Sequence, residues 1–289
     1  MNNLVGKVCI VTGSTSGIGL VTAKEVAKMG ATTVMVARDE VRGGKALAEV
    51  YSHSGNNNID LLICDFSSQL SIFKFVEAFK KKYNRLDILV NNAGMMSNKR
   101  IETDSGIELT FAVNHLGYFI VTNLLLDMLI NTPKSRIIVV ASDLHFRGKI
   151  NLKNLMHNCD YNGFTAYCDS KLANILFTYK MTEILKGTNT TINALHPGVI
   201  KTKFSIEDRN SDMHFPMGLL SSEEGAKPQI FLSTSPNVEG VSGKYFNQMD
   251  IERSSAISYN KILADLLWEK SIECCSIRVK NHLYLTLNR

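Results

Sequence analysis

The sequence is short of the residues that mark several large classes of protein. Five prolines in 289 residues and a charged fraction of only 20% argue against long disordered stretches. No run approaches the roughly 18 apolar residues that a membrane-spanning helix needs. Blocks of like charge are missing too. The formal net charge of +5 is mild and dispersed, with no Lys/Arg stripe of the kind that binds nucleic acid. The six cysteines, at positions 9, 64, 159, 168, 274 and 275, form no CxxC pair and no Cys/His spacing suited to zinc, so reduced thiols and no metal are expected. Cys9 and Cys64 sit in apolar runs, where cysteine packs as a small hydrophobe. The adjacent Cys274 and Cys275 read as plain exposed thiols, with lipid modification or metal reactivity as the other reading. The first strand-like run begins at Lys7, which leaves no room for a signal peptide. A soluble, cytoplasmic protein is expected, with peripheral membrane contact left open.

What is present is a core-forming composition, 45% hydrophobic over a length that can bury a sizeable interior. Strand-like runs at 8–12, 33–37, 61–64, 86–90, 136–141 and 191–195 alternate with helical patterns at 18–29, 40–53, 68–83, 105–130 and 166–185. Val8, Cys9, Ile10, Val11 and Thr12 form a nearly continuous apolar run, as expected of a parallel strand covered on both faces. Such alternation predicts an α/β Rossmann fold. We expect one domain over residues 1–289, with a doubly wound, seven-stranded parallel sheet flanked by helices. Ligands bind such sheets beyond the carboxyl ends of the strands, and each motif below lies at such an end. The irregular segment at about 202–222, which contains Met213, Phe215, Pro216, Met217, Leu219 and Leu220, reads either as ordinary packing or as a lid over substrate.

The first motif is Thr12-Gly13-Ser14-Thr15-Ser16-Gly17-Ile18-Gly19, directly after a strand and opening a helix. Glycines let the backbone approach phosphates, and a helix N-terminus offers free N–H groups and partial positive charge to a pyrophosphate. The second is the end of the next strand. Ala37 stands where an NAD enzyme commonly places a carboxylate for the ribose, and Arg38 follows it, which favours NADP with its extra phosphate. A surface ion pair is the other reading of Arg38, and Asp39 keeps NAD open. The third motif is Tyr167-Cys168-Asp169-Ser170-Lys171. Residues four apart share a helix face, so the phenol and ammonium can meet over one pocket, where a nearby positive charge favours phenolate. Ser142 ends the fifth strand, where its hydroxyl either polarises a substrate carbonyl or caps the strand end.

These residues carry a resemblance. The chain resembles the short-chain dehydrogenase/reductases, in the branch of retinol dehydrogenase-like and dehydrogenase/reductase X-like proteins. The motifs, in family order, are TGSTSGIG (12–19), CDFSS (64–68), NNAG (91–94), FAVNHLGYF (111–119), AYCDSKLANILF (166–177) and HPGVIKT (196–202). The resemblance implies Tyr167 as catalytic acid/base and Lys171 as its pKa-lowering partner on the nicotinamide ribose. It implies Ser142 as the substrate-orienting serine and Asn114 as holder of a relay water. It also implies adenine contacts from Asp65 and Phe66, an adenine-ribose lining from Asn92, Ala93 and Gly94, and a nicotinamide cradle from Pro197, Gly198, Val199 and Thr202. Members often carry paired serines where this chain has Ala141 before Ser142. Several relatives in this branch carry an N-terminal membrane anchor, and this chain is expected to lack one.

The expected activity is NADP(H)-linked interconversion of an alcohol and a carbonyl on an apolar substrate such as a retinoid, isoprenoid or steroid. A catalytically silent NADP(H)-sensing regulator is the alternative, and the intact Ser/Tyr/Lys set speaks against it. The alternating Leu283, Leu285 and Leu287 read as a short edge strand or packed tail, within a C-terminal stretch of about 273–289 that could also touch a membrane. The helical patterns at 105–130 and 166–185 are apolar on more than one face, and a homodimer built on them is expected.

Overall fold

The apolar runs become a central sheet in the computed structural model, which describes residues 3–200 and 219–276. Strands β1 (Val8–Thr12), β2 (Thr32–Ala37), β3 (Ile59–Ile63), β4 (Ile88–Asn91), β5 (Arg136–Val140) and β6 (Thr191–His196) pair in parallel. β1, β4 and nearly all of β2, β5 and β6 are buried, because helices cover both faces of the sheet. The sheet has eight strands, not the seven expected. β7 (Tyr245–Asn247) adds in parallel to β6, and Gln248, at φ 54°, then reverses the chain into the antiparallel edge strand β8 (Asp250–Glu252). The order β3-β2-β1-β4-β5-β6-β7-β8 changes direction between β1 and β4, which opens the crevice where such sheets hold ligands.

Helices α1 (Gly17–Lys28), α2 (Glu40–Ser54) and α8 (Ser222–Thr234) cover one face through Ala23, Val26, Ala46, Val50 and Leu232. The other face carries α3 (Gln69–Lys82), a helical run between residues 109 and 131, and α7 (Gly163–Ile184). The run expected to be continuous over 105–130 starts later and is broken. Glu108 caps it, each carboxylate oxygen accepting a backbone N–H, from Thr110 at 2.9 Å and Phe111 at 2.7 Å. α4 (Leu109–Phe111) then widens into a π-helical turn (Ala112–Leu116), followed by α5 (Gly117–Leu124) and α6 (Leu126–Asn131).

A last helix, α9 (Lys261–Glu273), lies on α7, with Trp268 stacked on Phe177 at 6.1 Å and edge-on to Phe119 at 4.7 Å. Every residue of α5 and every α7 residue from Cys168 to Thr178 is buried within this one chain. The two helices expected to pair between subunits therefore have their apolar faces covered already. The chain returns to α3 beyond α9, where Gln69 donates to the Cys274 carbonyl and accepts from the Ser276 N–H. This docking corrects the expectation of two exposed thiols: Cys275 is 4% exposed and its thiol donates to the Ser271 carbonyl, while Cys274 is half-buried. Cys9 and Cys64 are buried as expected. Thr202, most of the segment expected as a lid, and the tail beyond 276 lie outside the described residues. No described helix is long and apolar enough to cross a membrane, and no three described His, Cys, Asp or Glu side chains gather as a metal site.

Candidate active site

The glycine-rich turn takes its shape from two positive-φ glycines, Gly13 at 65° and Gly17 at 56°. Space forbids side chains there as well. A Cβ on Gly13 would lie 2.8 Å from the Ala93 Cα, and one on Gly19 would lie 2.5 Å from the Gly13 carbonyl oxygen. Thr12 fastens the turn to the end of β4. Its hydroxyl donates to the Val90 carbonyl and accepts from the N–H groups of Asn92 and Ala93, at 2.8 and 3.0 Å. The Asn92 amide donates back to the Thr12 carbonyl at 2.7 Å. Thr12 opens the glycine-rich motif in the sequence but was given no role there, because a threonine ending a strand carries no signal of its partners.

The start of α1 is chemically open. Asp39, Ser68, Asn162, Ser221 and Asn260 cap their helices with side-chain oxygens, whereas Ser16 makes no such bond and no acid occupies the first turn of α1. Among the described residues, no side chain caps the leading N–H groups of α1. Ser14 is different from the others in this turn, since its hydroxyl is buried and joined to the backbone of Val36. Ser14 holds the turn to β2 and has only backbone to offer a ligand. Arg38 is exposed just beyond β2 and makes no ion pair with a described carboxylate. The Asp39 carboxylate turns back to accept from the Arg42 N–H at 2.7 Å.

Asp65 is half-buried, its carboxylate held by the N–H and hydroxyl of Ser67 at 2.9 and 2.7 Å. The neighbouring Phe66 ring belongs to the core, packed against Gly117. Pro197 is buried behind β6, Gly198 adopts φ 93°, and Val199 is exposed.

The reactive cluster forms where α7 crosses the carboxyl ends of β4 and β5. Lys171 is buried, its ammonium donating to the Val140 carbonyl at 2.9 Å and lying 5.4 Å from the centre of the Tyr167 ring. Burial pulls Lys171 down to about 7. Burial holds the Tyr167 phenol well above its ordinary pKa and outweighs the hydrogen bond it shares with Ser142, which favours phenolate. The expectation that the ammonium depresses this phenol is therefore not met here: desolvation acts on both groups and dominates each. Tyr118, its hydroxyl buried nearby, is likewise pushed up by burial and by Tyr167 itself.

Asn114 enters from the π-helical turn. Its Oδ1 accepts from the Met95 N–H at 2.8 Å, and its Nδ2 donates to the Met95 carbonyl and to the Ser170 hydroxyl at 2.9 and 3.0 Å. A π turn adds a residue to the helical repeat, and that extra width is common at functional sites. Gly94 lies against both groups, its Cβ position 3.5 Å from the Asn114 Oδ1 and 3.7 Å from the Lys171 ammonium. Ser142, Tyr167, Lys171, Asn114 and Gly94 thus converge on one end of the crevice, and the glycine turn opens onto the other.

The sequence profile of the short chain dehydrogenase family matches residues 7–212. The chain is 37% identical to retinol dehydrogenase 14 of Homo sapiens, covering 92% of this chain and 85% of that protein. It is 33% identical to the polyprenol dehydrogenase of Homo sapiens, covering 94% and 86%. An uncharacterised protein from Mycobacterium Paratuberculosis shares the fold with a TM-score of 0.78, at 26% identity over 95% of both chains. A short chain dehydrogenase from Escherichia coli CFT073, solved complexed with NADPH, shares it with a TM-score of 0.69, at 18% identity over 86% of this chain and 99% of that one. With its glycine turn, its convergent Ser142, Tyr167 and Lys171, and this breadth of similarity, the chain belongs to the short chain dehydrogenase family of oxidoreductases, in the retinol dehydrogenase-like branch.

Proposed function

We propose that this protein interconverts an alcohol and a carbonyl on an apolar, isoprenoid-type substrate, using NADP(H). The observation that carries the reading is the hydrogen-bonded Ser142–Tyr167 pair beside a buried Lys171, at the crevice end opposite the glycine turn. The residues present fit a dinucleotide. Gly13 and Gly19 form a cradle that any Cβ would fill, and the uncapped start of α1 offers N–H groups to a pyrophosphate. Nicotinamide would supply or accept the hydride. The chain's own residues handle the proton. Ser142 and Tyr167 can both donate hydrogen bonds to a substrate carbonyl, polarising it, and the Tyr167 phenol releases its proton as the oxygen becomes an alkoxide. A phenol held in its protonated form is what carbonyl reduction needs. Lys171, poised near 7, positions beside the phenol a charge that favours phenolate once its proton has left. The three hydrogen bonds of Asn114 leave one lone pair on Oδ1 for a relay water.

Preference for NADP rests on Arg38, exposed and free of a described ion pair, and on the absence of an acid at Ala37. Asp39 is engaged in capping α2. The NADPH bound by the Escherichia coli neighbour is in keeping with this. The substrate class follows the retinol and polyprenol dehydrogenases, and a steroid is a further member of the same apolar group. The test is a panel of retinal, a longer isoprenal, a steroid ketone and a small aldehyde, followed by NADPH absorbance. Turnover of at least one isoprenal with NADPH, at a kcat/KM at least tenfold above that with NADH, is expected. Arg38→Ala should erase most of that cofactor preference. An inert panel with tightly bound NADPH would point to the silent regulator instead.

A further inference from the structure

The residues around Ser142 extend the reading above in a direction that the family motifs do not indicate. Ser142 has to hold its hydroxyl at a fixed distance from Tyr167, yet it lies just past the end of β5, where strand hydrogen bonding has stopped. Its carbonyl oxygen accepts two bonds from one residue, the His145 N–H at 3.0 Å and the His145 Nδ1 at 2.7 Å. The opposite ring atom, Nε2, accepts from the Ser255 N–H at 3.0 Å. A carbonyl can only accept and a backbone N–H can only donate, so the proton must be on Nδ1 and the ring must be neutral. His145 is wholly buried, with its ring against Tyr245 at 4.8 Å and Phe146 at 4.2 Å.

The other end of this link is tied to α7. Ser254 and Ser255 open a short helical turn (Ala256–Tyr259), and the Ser254 hydroxyl bonds to Tyr179 at 2.6 Å and to Ser258 at 2.7 Å. Tyr179 belongs to the same helix as Tyr167 and Lys171. Ser142 is thereby referred, through His145 and residues 254–255, to the scaffold that carries its catalytic partners. Asp143 adds a second tie, accepting from the Tyr245 hydroxyl of β7 and facing the His196 ring at 3.4 Å.

We propose that His145 is a positioning residue for catalysis: its Nδ1–H bond to the Ser142 carbonyl fixes the serine hydroxyl against Tyr167, and its Nε2 anchors that bond to the segment at 254–255. This rests on the proposed role of Ser142. Two substitutions divide the functions of the ring. In His145→Asn the amide N–H₂ overlays Nδ1, retaining the donor to Ser142 and losing the acceptor. In His145→Gln the amide oxygen overlays Nε2, retaining the acceptor and losing the donor. With retinal and NADPH, His145→Gln should lose tenfold or more in kcat with KM for NADPH unchanged, while His145→Asn stays within about threefold of wild type. The reverse order, or equal activities in the two variants, overturns the proposal, since only the anchor or neither bond would then matter. Should a His145 variant melt too low to assay, Ser255→Pro reads the same link. The φ of −56° at Ser255 suits proline, and the substitution removes the N–H that meets Nε2, so kcat should stay within about threefold of wild type, as in His145→Asn, and a tenfold loss overturns the ranking of the two bonds. Ser142→Ala run alongside separates the two claims: full activity there rejects the serine's role, not the histidine's link to it. A measurement independent of turnover is ¹⁵N NMR of the imidazoles, assigned with His145→Asn. The His145 ring should be the Nδ1–H tautomer and stay neutral from pH 6 to 8, and an Nε2–H tautomer would sink the idea.

Discussion

Tyr167 and Lys171 gain their chemistry from being out of water. The phenol and the ammonium are each pushed toward the uncharged form by burial. Tyr167→Phe removes the phenol that is hydrogen-bonded to Ser142, and kcat should fall by about 10² to 10⁴-fold with NADPH binding intact, as read by nucleotide fluorescence. Lys171 has a consequence for folding. Its folded value near 7 lies below the ordinary 10.5, so between those limits the unfolded chain holds a proton that the folded chain has released. Stability should therefore rise with pH across that window, the burial cost being fully present below 7. Urea unfolding at pH 7 and pH 9 should show this gain in wild type and not in Lys171→Met. Spacing in the sequence was enough to pair Tyr167 with Lys171. It was blind to the medium around them, and so misjudged what sets the phenol's acidity. It also placed Ser14 and Phe66 at the ligand without foreseeing that the first side chain clips the turn to β2 and the second fills the core, because a motif gives positions and not the direction a side chain faces.

The elements that sequence reading found best were those with a strong period: six strands and five helical patterns, most of them within two residues. Several elements went unread, three of them for clear physical reasons. β7 and β8 are three residues each, too short for a two-residue alternation to register. The π-helical turn carries no hydrophobic signature of its own, since one extra residue in a wholly apolar helix leaves the pattern looking continuous. The glycine turn is the element where a single atom decides the outcome. In Gly19→Ala the new methyl would meet the Asn92 amide at 2.4 Å and the Gly13 carbonyl at 2.5 Å, so the turn must open. NADPH affinity should drop more than tenfold by titration calorimetry, a loss larger than that of Gly44→Ala, whose Cβ meets nothing within 4 Å.

At the scale of the molecule, α9 changes what the core helices can do. The apolar length of α5 and α7 suggested a subunit interface, but Phe119, Phe177 and Trp268 close that surface from within the chain. Light scattering at micromolar concentration should give a monomer mass. Trp268→Ala should destabilise the fold by about 3 to 5 kcal/mol, the usual cost of emptying a large buried aromatic site. It would also uncover an oily stripe, so the variant should self-associate where wild type does not, which sedimentation velocity can detect.

The same helix bears on how the enzyme behaves when scarce. Tyr167, Lys171 and Tyr179 rest on α7, which α9 of the same chain covers, so we expect no second molecule to be needed to hold that helix in place. Turnover per molecule should then be the same at nanomolar as at micromolar protein, and a cell holding a few copies would lose nothing to dilution.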